Sequence, residues 1–387
     1  MRWLLTFVPF TYVLLSLSSA PAQVLVDQRR LPPAFKDHAE LPGEKQLHCE
    51  VIPMKPTLNF GFRFQTGYFA RVPMNQYAGD GHTWGIVTKV TPATGNAKPF
   101  YLASRINLPK IPKTNIHFEL GGGYMVGEGR YKVEFLLFDE QGRVCRKTWQ
   151  MAAQLTRADR AVRLSIPKNT VTDYSLHGLP PAAIQTDDAK AIRLTVLLHV
   201  APISMRRTTM RSSDRMTLLS SLSTLLEHVP TRSVRFVAFN LEQQKEIFHS
   251  EQFARSSIDE VAKSIDELEL GLVDIKVLQN RRGPVELLSE MLEHEAAAGD
   301  PSEVVLFLGP GTRFFDKLPQ ASLEPATAAS ARFMFFQLHP LFRGGNPPPA
   351  NFPDSISQTI SRLKGKTVHI RTPGDLARAM RQLEGKN

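Results

Sequence analysis

Two cysteines, one candidate nucleophile and three groups of arginines are the residues of this chain best suited to chemistry. Cys49 and Cys145 are its only cysteines, both in the first half of 387 residues. An isolated pair with no histidine at ligand spacing reads as one disulfide rather than a metal site, given an oxidising compartment. His48 is the nearest candidate ligand, and it reads as a solvent-facing or edge residue. Closing such a loop would stabilise the fold by roughly 3 to 5 kcal/mol in the chain-entropy model. The arginines are Arg206, Arg207, Arg211 and Arg215, then Arg281 and Arg282, then Arg313. Their planar forks match carboxylates, so together they suit recognition of an acidic group.

Catalytic constellations are incomplete. Ser204 lacks a Gly-x-Ser-x-Gly elbow, and His199 ends an apolar run. Asp187 and Asp188 face no second carboxylate, while Asp259, Glu260, Asp266, Glu267 and Glu269 have the spacing of a solvated helix face. Gly121 to Gly123, with Gly127 and Gly129, precede neither a helix nor Gly-Lys-Ser/Thr, so they read as a hairpin turn rather than a phosphate cradle. No enzyme is expected. The competing reading is an extracytoplasmic hydrolase whose site is assembled between domains from distant residues.

The elements that must position these residues fall into two textures. Over 45–166 short alternating runs are separated by turn formers, with no sustained helical period. Leu58 to Phe64 alternates like a half-buried strand, followed by strands at Trp84 to Val90, Phe100 to Ser104, Tyr131 to Phe138 and Val144 to Met151. An all-β, Ig-like sandwich is expected there, with an extended, proline-bearing lead-in at 23–44. Residues 167–190 read as a linker. From 191 to 387 apolar strands alternate with helices: Ile192 to Val200, the leucine-rich Met216 to Leu226, Val234 to Phe239, a short edge strand at Ile247-Phe248, then Val304 to Leu308, Phe333 to Leu338 and Thr367 to Ile370. Helices are expected at Ile258 to Leu268, Val285 to His294, Ile356 to Leu363 and Leu376 to Leu383. That order predicts an α/β doubly wound, mostly parallel sheet covered on both faces.

Leu194 to Leu198, the leucine-rich helix after it, Val234 to Phe239 and Val304 to Leu308 resemble the von Willebrand factor type A domain. Exported bacterial proteins that join a β-sandwich to such a domain are similar overall. The resemblance implies a metal-ion-dependent adhesion site, Asp-x-Ser-x-Ser after the first strand with a Thr and an Asp from later loops. A hard divalent cation needs such oxygen ligands. Those first-loop positions here hold Val200, Pro202 and Ser204. The second loop reads Leu278 to Pro284, and the loop after the fourth strand reads Gly309-Pro310-Gly311-Thr312. The metal site is therefore expected to be dismantled, against a divergent site recruiting Asp214 or Asp316. With no metal and no cofactor, the arginines in these loops are expected to form a basic rim at the carboxyl ends of the strands, against the alternative of solvated loop charges.

Arg2, the apolar stretch Trp3 to Leu17 and Ala20-Pro21-Ala22 read as a signal peptide over 1–22, with Gln23 as mature start. A retained membrane tether through the N-terminus is the competing reading. The formal net charge is +10, or +9 without the signal, which in an exported chain points away from nucleic acid and toward an acidic protein or envelope component. The expectation is a secreted or periplasmic, non-enzymatic protein-binding or scaffold protein.

Overall fold

The computed structural model describes residues 23–27, 29, 31, 45–79, 81–94, 97–174, 191–204, 207–268, 275–328, 330–339 and 353–383. The signal-peptide reading over 1–22, Asp187, Asp188 and Arg206 lie outside the described residues.

The first part is a sandwich of two antiparallel sheets. One runs β1 (Val24–Val26), β5 (Phe100–Asn107), β4 (Thr83–Pro92), β7 (Gly129–Asp139), β8 (Val144–Ala153) across its width. The other runs β2 (Glu50–Leu58), β3 (Phe64–Pro73), β6 (His117–Val126), β9 (Val171–Asp173). Alternation places Trp84, Phe135 and Leu137 of the first sheet against Tyr68, Ala70 and Leu120 of the second. The sheets reach beyond 45–166 on both sides, since β1 lies in the stretch read as a lead-in and β9 in the stretch read as linker.

Cys49, just before β2, and Cys145 in β8 form a disulfide with Cα atoms 6.1 Å apart. β2 and β8 are edge strands of opposite sheets, so the bond staples the open side of the sandwich.

Two sequence expectations fail here for physical reasons. Leu58 to Phe64 is not one strand but the β2–β3 connection. Asn59 Oδ1 accepts from the amides of Gly61 and Arg63, at 3.0 and 3.2 Å, and Phe62 adopts φ 52°. The phenylalanines alternate because they plug a neighbouring core. Gly121 to Gly123 lie inside β6 rather than in a turn. A Cβ on Gly122 would sit 2.4 Å from the Tyr68 ring, so the glycine makes room for that aromatic.

The second part is a six-stranded sheet. Its strands are β10 (Ile192–His199), β11 (Thr231–Asn240), β12 (Lys245–Ser250), β13 (Val304–Gly309), β14 (Arg332–Leu338) and β15 (Lys366–Ile370). They lie in the order β12-β11-β10-β13-β14-β15, all parallel except β12. The central strands are mostly apolar because both faces are covered, with Thr195, His199 and Gln337 as buried polar exceptions. Leu194, Val196 and Leu198 face α1 (Ser212–His228), α2 (Ile258–Asp266) and α7 (Pro373–Leu383). Leu197, Val305 and Phe307 face α4 (Gly283–Ala297), α5 (Gln320–Ala328) and α6 (Ser355–Arg362). A short α3 (Ile275–Gln279) precedes α4. The sequence reading missed α3 and α5. The latter carries Pro325 inside it and buries only Leu323 and Ala326.

The two parts share one core. Phe60, Phe62 and Val162 of the sandwich pack into the cluster beneath α1 and α7. Thr224 Oγ1 donates to the Phe60 carbonyl at 2.8 Å, and Arg378 and Arg381 donate to the carbonyls of Ala158 and Ala161, each at 2.9 Å. Beside them Glu227 stands 3.2 Å from Arg255 and 3.9 Å from Arg63.

Candidate functional site

In a sheet of this order the chain leaves neighbouring strands β10 and β13 in opposite directions, opening a crevice at their carboxyl ends. The crevice is closed by short-range packing. Gly309 has φ 144°, and a Cβ there would lie 2.5 Å from the His199 carbonyl, so glycine is required for the two strand ends to approach.

His199 is buried and stacks on Phe239, with ring centroids 5.3 Å apart. Its Nδ1 lies 3.0 Å from the Pro310 carbonyl, which only accepts, so Nδ1 carries the hydrogen. Its Nε2 has no partner among the described residues. Burial pushes the imidazole down to about 4, against the opposing pull of the Pro310 carbonyl. It is a core histidine, and the sequence placed it correctly at the end of the strand.

The loops are fixed by groups that the sequence did not single out. Asn240 Nδ2 donates to the Val200 carbonyl at 2.6 Å, tying the β11 end to the β10 end. Asp354, fully buried, caps α6 by accepting from Ser357 N at 2.8 Å. Its other oxygen accepts from Thr312 N at 3.1 Å and Gln337 Nε2 at 2.9 Å. Burial pushes this carboxyl up, with the amide donors opposing it.

The predicted arginines divide into separate sets. Arg313 reaches across the crevice. It donates through Nη2 to the Arg207 carbonyl in the β10 loop, and its Nε lies 3.4 Å from Glu242 in the β11 loop. Burial pushes the Glu242 carboxyl up while Arg313 pulls it down. Arg207 stands 3.9 Å from the buried Asp214. Arg211 and Arg215 border a pocket of about 270 Å³, where Arg215 pairs with Asp266 at 2.6 Å. Arg281 and Arg282 lie at the start of α4, in a cleft of about 640 Å³. Lys317 shares that cleft, and so do Glu286, Glu290, Glu293 and Asp316. The rim is thus interleaved with carboxylates, a feature that loop-by-loop reading of arginines cannot reveal.

The donor set at the crevice does not fit a hard divalent cation. Val200 and Pro202 bring no side-chain oxygen, the Val200 carbonyl is taken by Asn240, and Thr312 Oγ1 accepts from Phe314 N at 3.2 Å. Asp214 and Asp316 are engaged or placed elsewhere, Asp214 beside Arg207 and Asp316 in the α4 cleft. Asp214 also accepts from Arg211 N at 3.1 Å in the first turn of α1. Among the described residues no three His, Cys, Asp or Glu side chains are placed to hold a metal ion.

No protein-family model matches the sequence, and no curated protein does either. Among solved structures, the Northeast Structural Genomics Consortium target SoR45 is 14% identical, with a TM-score of 0.18, over 30% of this chain and 96% of that one. A protein named ApaA from Bordetella pertussis is 12% identical, with a TM-score of 0.19, over 30% of this chain and 100% of that one. A β-glucuronidase from Bacteroides uniformis is 8% identical, with a TM-score of 0.19, over 75% and 36%. Likenesses at these scores carry no argument, and the architecture stands on its own strand order: an antiparallel β-sandwich joined to a mixed, mostly parallel α/β sheet.

Proposed function

We propose that this chain is an exported, non-enzymatic binding or scaffold protein. Its α/β part is read as von Willebrand factor A-like and engages an acidic group of a protein or envelope partner through arginines, with no bridging metal. The observation that carries the reading is Arg313. Its guanidinium joins the loops after β10, β11 and β13, so a tethered cation occupies the convergence point. A fixed guanidinium offers carboxylate recognition without a coordination shell. Arg207 and Arg313 each keep about a third of their side chain exposed, which leaves charge at the rim for a partner.

Export is supported by the disulfide, a bond that persists in oxidising compartments. It is supported too by Gln23, directly after the cleavage pattern. Its side chain is buried in the sandwich and donates to Tyr68 Oη at 2.7 Å, and β1 begins at the next residue. Among the described residues no helix is long and apolar enough to cross a membrane.

Affinity capture from the native envelope fraction tests the reading, with wild type beside an Arg207→Glu/Arg281→Glu/Arg282→Glu/Arg313→Glu variant. The expected result is a salt-sensitive complex that survives chelator and is lost in the variant. A chelator-sensitive complex, or one indifferent to charge reversal, overturns it. Mass measurement of the native N-terminus at Gln23 supports release, whereas survival of Arg2 establishes the tether.

A further inference from the structure

We infer a second binding site, for a primary alkylammonium group, in the pocket between edge strand β12 and helix α4. It stands on observations separate from the rim. The pocket encloses about 260 Å³. It exists because α4 packs over β10 and β11 through Leu288, Met291 and Leu292, while β12 lies further out as the edge. Its apolar wall is Leu197, Val237, Leu287 and Met291. Its polar wall comes from Glu246 and His249 on β12 and from Glu290, His294 and Glu295 on α4. The two imidazoles meet edge to face, with centroids 5.5 Å apart.

Glu295 gives the pocket its chemistry. The residue is only 6% exposed. One carboxylate oxygen accepts from Thr195 Oγ1 and from Arg235 Nη1, each at 2.9 Å. The other, Oε1, is buried without a hydrogen-bond partner among the described residues. A buried carboxylate oxygen without a donor costs on the order of 1 to 3 kcal/mol or more, which a donor brought by a ligand would offset. The surroundings select a cation. Glu246, Glu290 and Glu295 line the pocket, and Glu251 stands behind His249 at 2.7 Å. The fixed guanidinium nearby, Arg235, is already shared between Glu251 and Glu295, at 2.7 and 2.9 Å. This is a locally acidic hollow on a chain of net charge +10.

The shape narrows the cation. An ammonium is a compact charge with three donors, able to meet Glu295 and a second carboxylate together. Its methylene stem would lie on Leu197, Val237 and Met291, as such stems do on apolar surface. A metal ion suits the site less, because each ring nitrogen of His249 already faces a carboxylate, Glu246 at 3.2 Å and Glu251 at 2.7 Å. The ammonium has two sources, a free alkylamine or a lysine side chain.

Calorimetric titration of the full chain with n-butylamine, with Nα-acetyl-lysine methylamide and with n-butanol tests the site. Both ammonium probes are expected to bind saturably and butanol not at all. Tighter binding of the lysine amide assigns the site to a lysine side chain, and tighter binding of butylamine to a free amine. Glu295→Gln should weaken binding about 10-fold, the scale of one lost charge-assisted hydrogen bond. Because Glu295 is buried and that variant can fail to fold, the exposed pair Glu246→Gln/Glu290→Gln provides the second test, with a similar loss expected. No saturation by about 50 mM, well above the millimolar affinity of a weak site, overturns the inference. So does butanol binding as well as butylamine, or folded variants that bind as wild type does.

Discussion

The hydroxyl of Thr224, in the first helix of the α/β part, donates to the backbone carbonyl of Phe60 in the β2–β3 turn of the sandwich, at 2.8 Å. One turn further along the same helix, His228 meets the Phe62 ring edge to face, with centroids 5.1 Å apart. Its ring nitrogens lie 3.1 and 3.0 Å from the carbonyls of Thr224 and Arg163. The boundary between the two parts is therefore built like a core, which predicts that they unfold cooperatively. Trp84 and Trp149 lie in the sandwich and Trp3 in the leader stretch, so fluorescence of a chain starting at Gln23 reports the sandwich, while ellipticity at helical wavelengths reports the other part. In wild type the two transitions should coincide. Phe62→Ala removes a ring that is 1% exposed, and should cost about 3 to 5 kcal/mol and separate the two curves. Coincident curves in the variant would show that the shared core is not what couples them.

The disulfide makes a prediction local to the sandwich. It closes a span of 96 residues and joins edge strands of opposite sheets. Reduction, or a Cys49→Ala/Cys145→Ala variant, should lower stability in urea by about 2 to 5 kcal/mol. The m-value should change as well, because the crosslink restricts the unfolded chain. Urea titration with and without reductant checks this, and a reductant-insensitive midpoint contradicts it.

What the sequence disclosed follows from where each residue spends its burial. Val196 and Phe307 lie in strands covered on both faces, so their apolar runs mark the strands directly. The cysteine pairing was legible because it had one partner. Phe60 and Phe62 misled, since the alternation of a strand and that of two anchors reaching into another layer look alike in one dimension. Gly122 misled because its reason, the ring of Tyr68, comes from the neighbouring strand. The candidate site was half legible. Missing oxygen ligands can be counted from Val200 and Pro202, but the partners of the arginines, Glu242, Asp214 and Asp266, come from other loops and helices. Asp354 gave no signal beyond a helix cap, yet it also binds Thr312 and Gln337.

The buried His199 makes the fold acid-sensitive. Its imidazole is lowered to about 4, so between the ordinary histidine value and that point only the unfolded chain takes up the proton. The stability from this group is full above pH of about 6.5 and is lost as pH falls toward about 4, on the order of 3 kcal/mol in all. Asp354 acts in the opposite sense. Its raised carboxyl favours the folded state at low pH and loses that benefit as pH rises through and above the ordinary aspartate range. His339 is also lowered to about 4, by burial and then by His369 and Arg371, and adds to the histidine slope. The clean measurement is thus a difference: His199→Gln should flatten the loss of stability between pH 6.5 and 4 relative to wild type. Parallel curves for the two proteins would remove His199 as its source.

Arg313 should behave as a strut that fixes the loops as well as a cation at the rim. It touches the Arg207 carbonyl and Glu242, and removing it leaves a half-buried carboxylate whose ionisation burial already opposes. Arg313→Gln should cost about 1 to 2 kcal/mol, a figure kept small because the guanidinium is one-third exposed and screened. The more telling readout is local. Amide exchange should speed up over 207–211 in the β10 loop, while the core of β10, paired on both sides, stays protected. Arg313→Lys should rescue little, because one ammonium cannot donate to the Arg207 carbonyl while a second nitrogen stays in ion-pair range of Glu242. Arg281→Gln serves as the control, since that residue lines the cleft at α4 and should leave exchange in the β10 loop unchanged. Full rescue by lysine, or unchanged exchange in Arg313→Gln, would reduce Arg313 to an ordinary surface cation and remove the observation on which metal-free recognition at the rim rests.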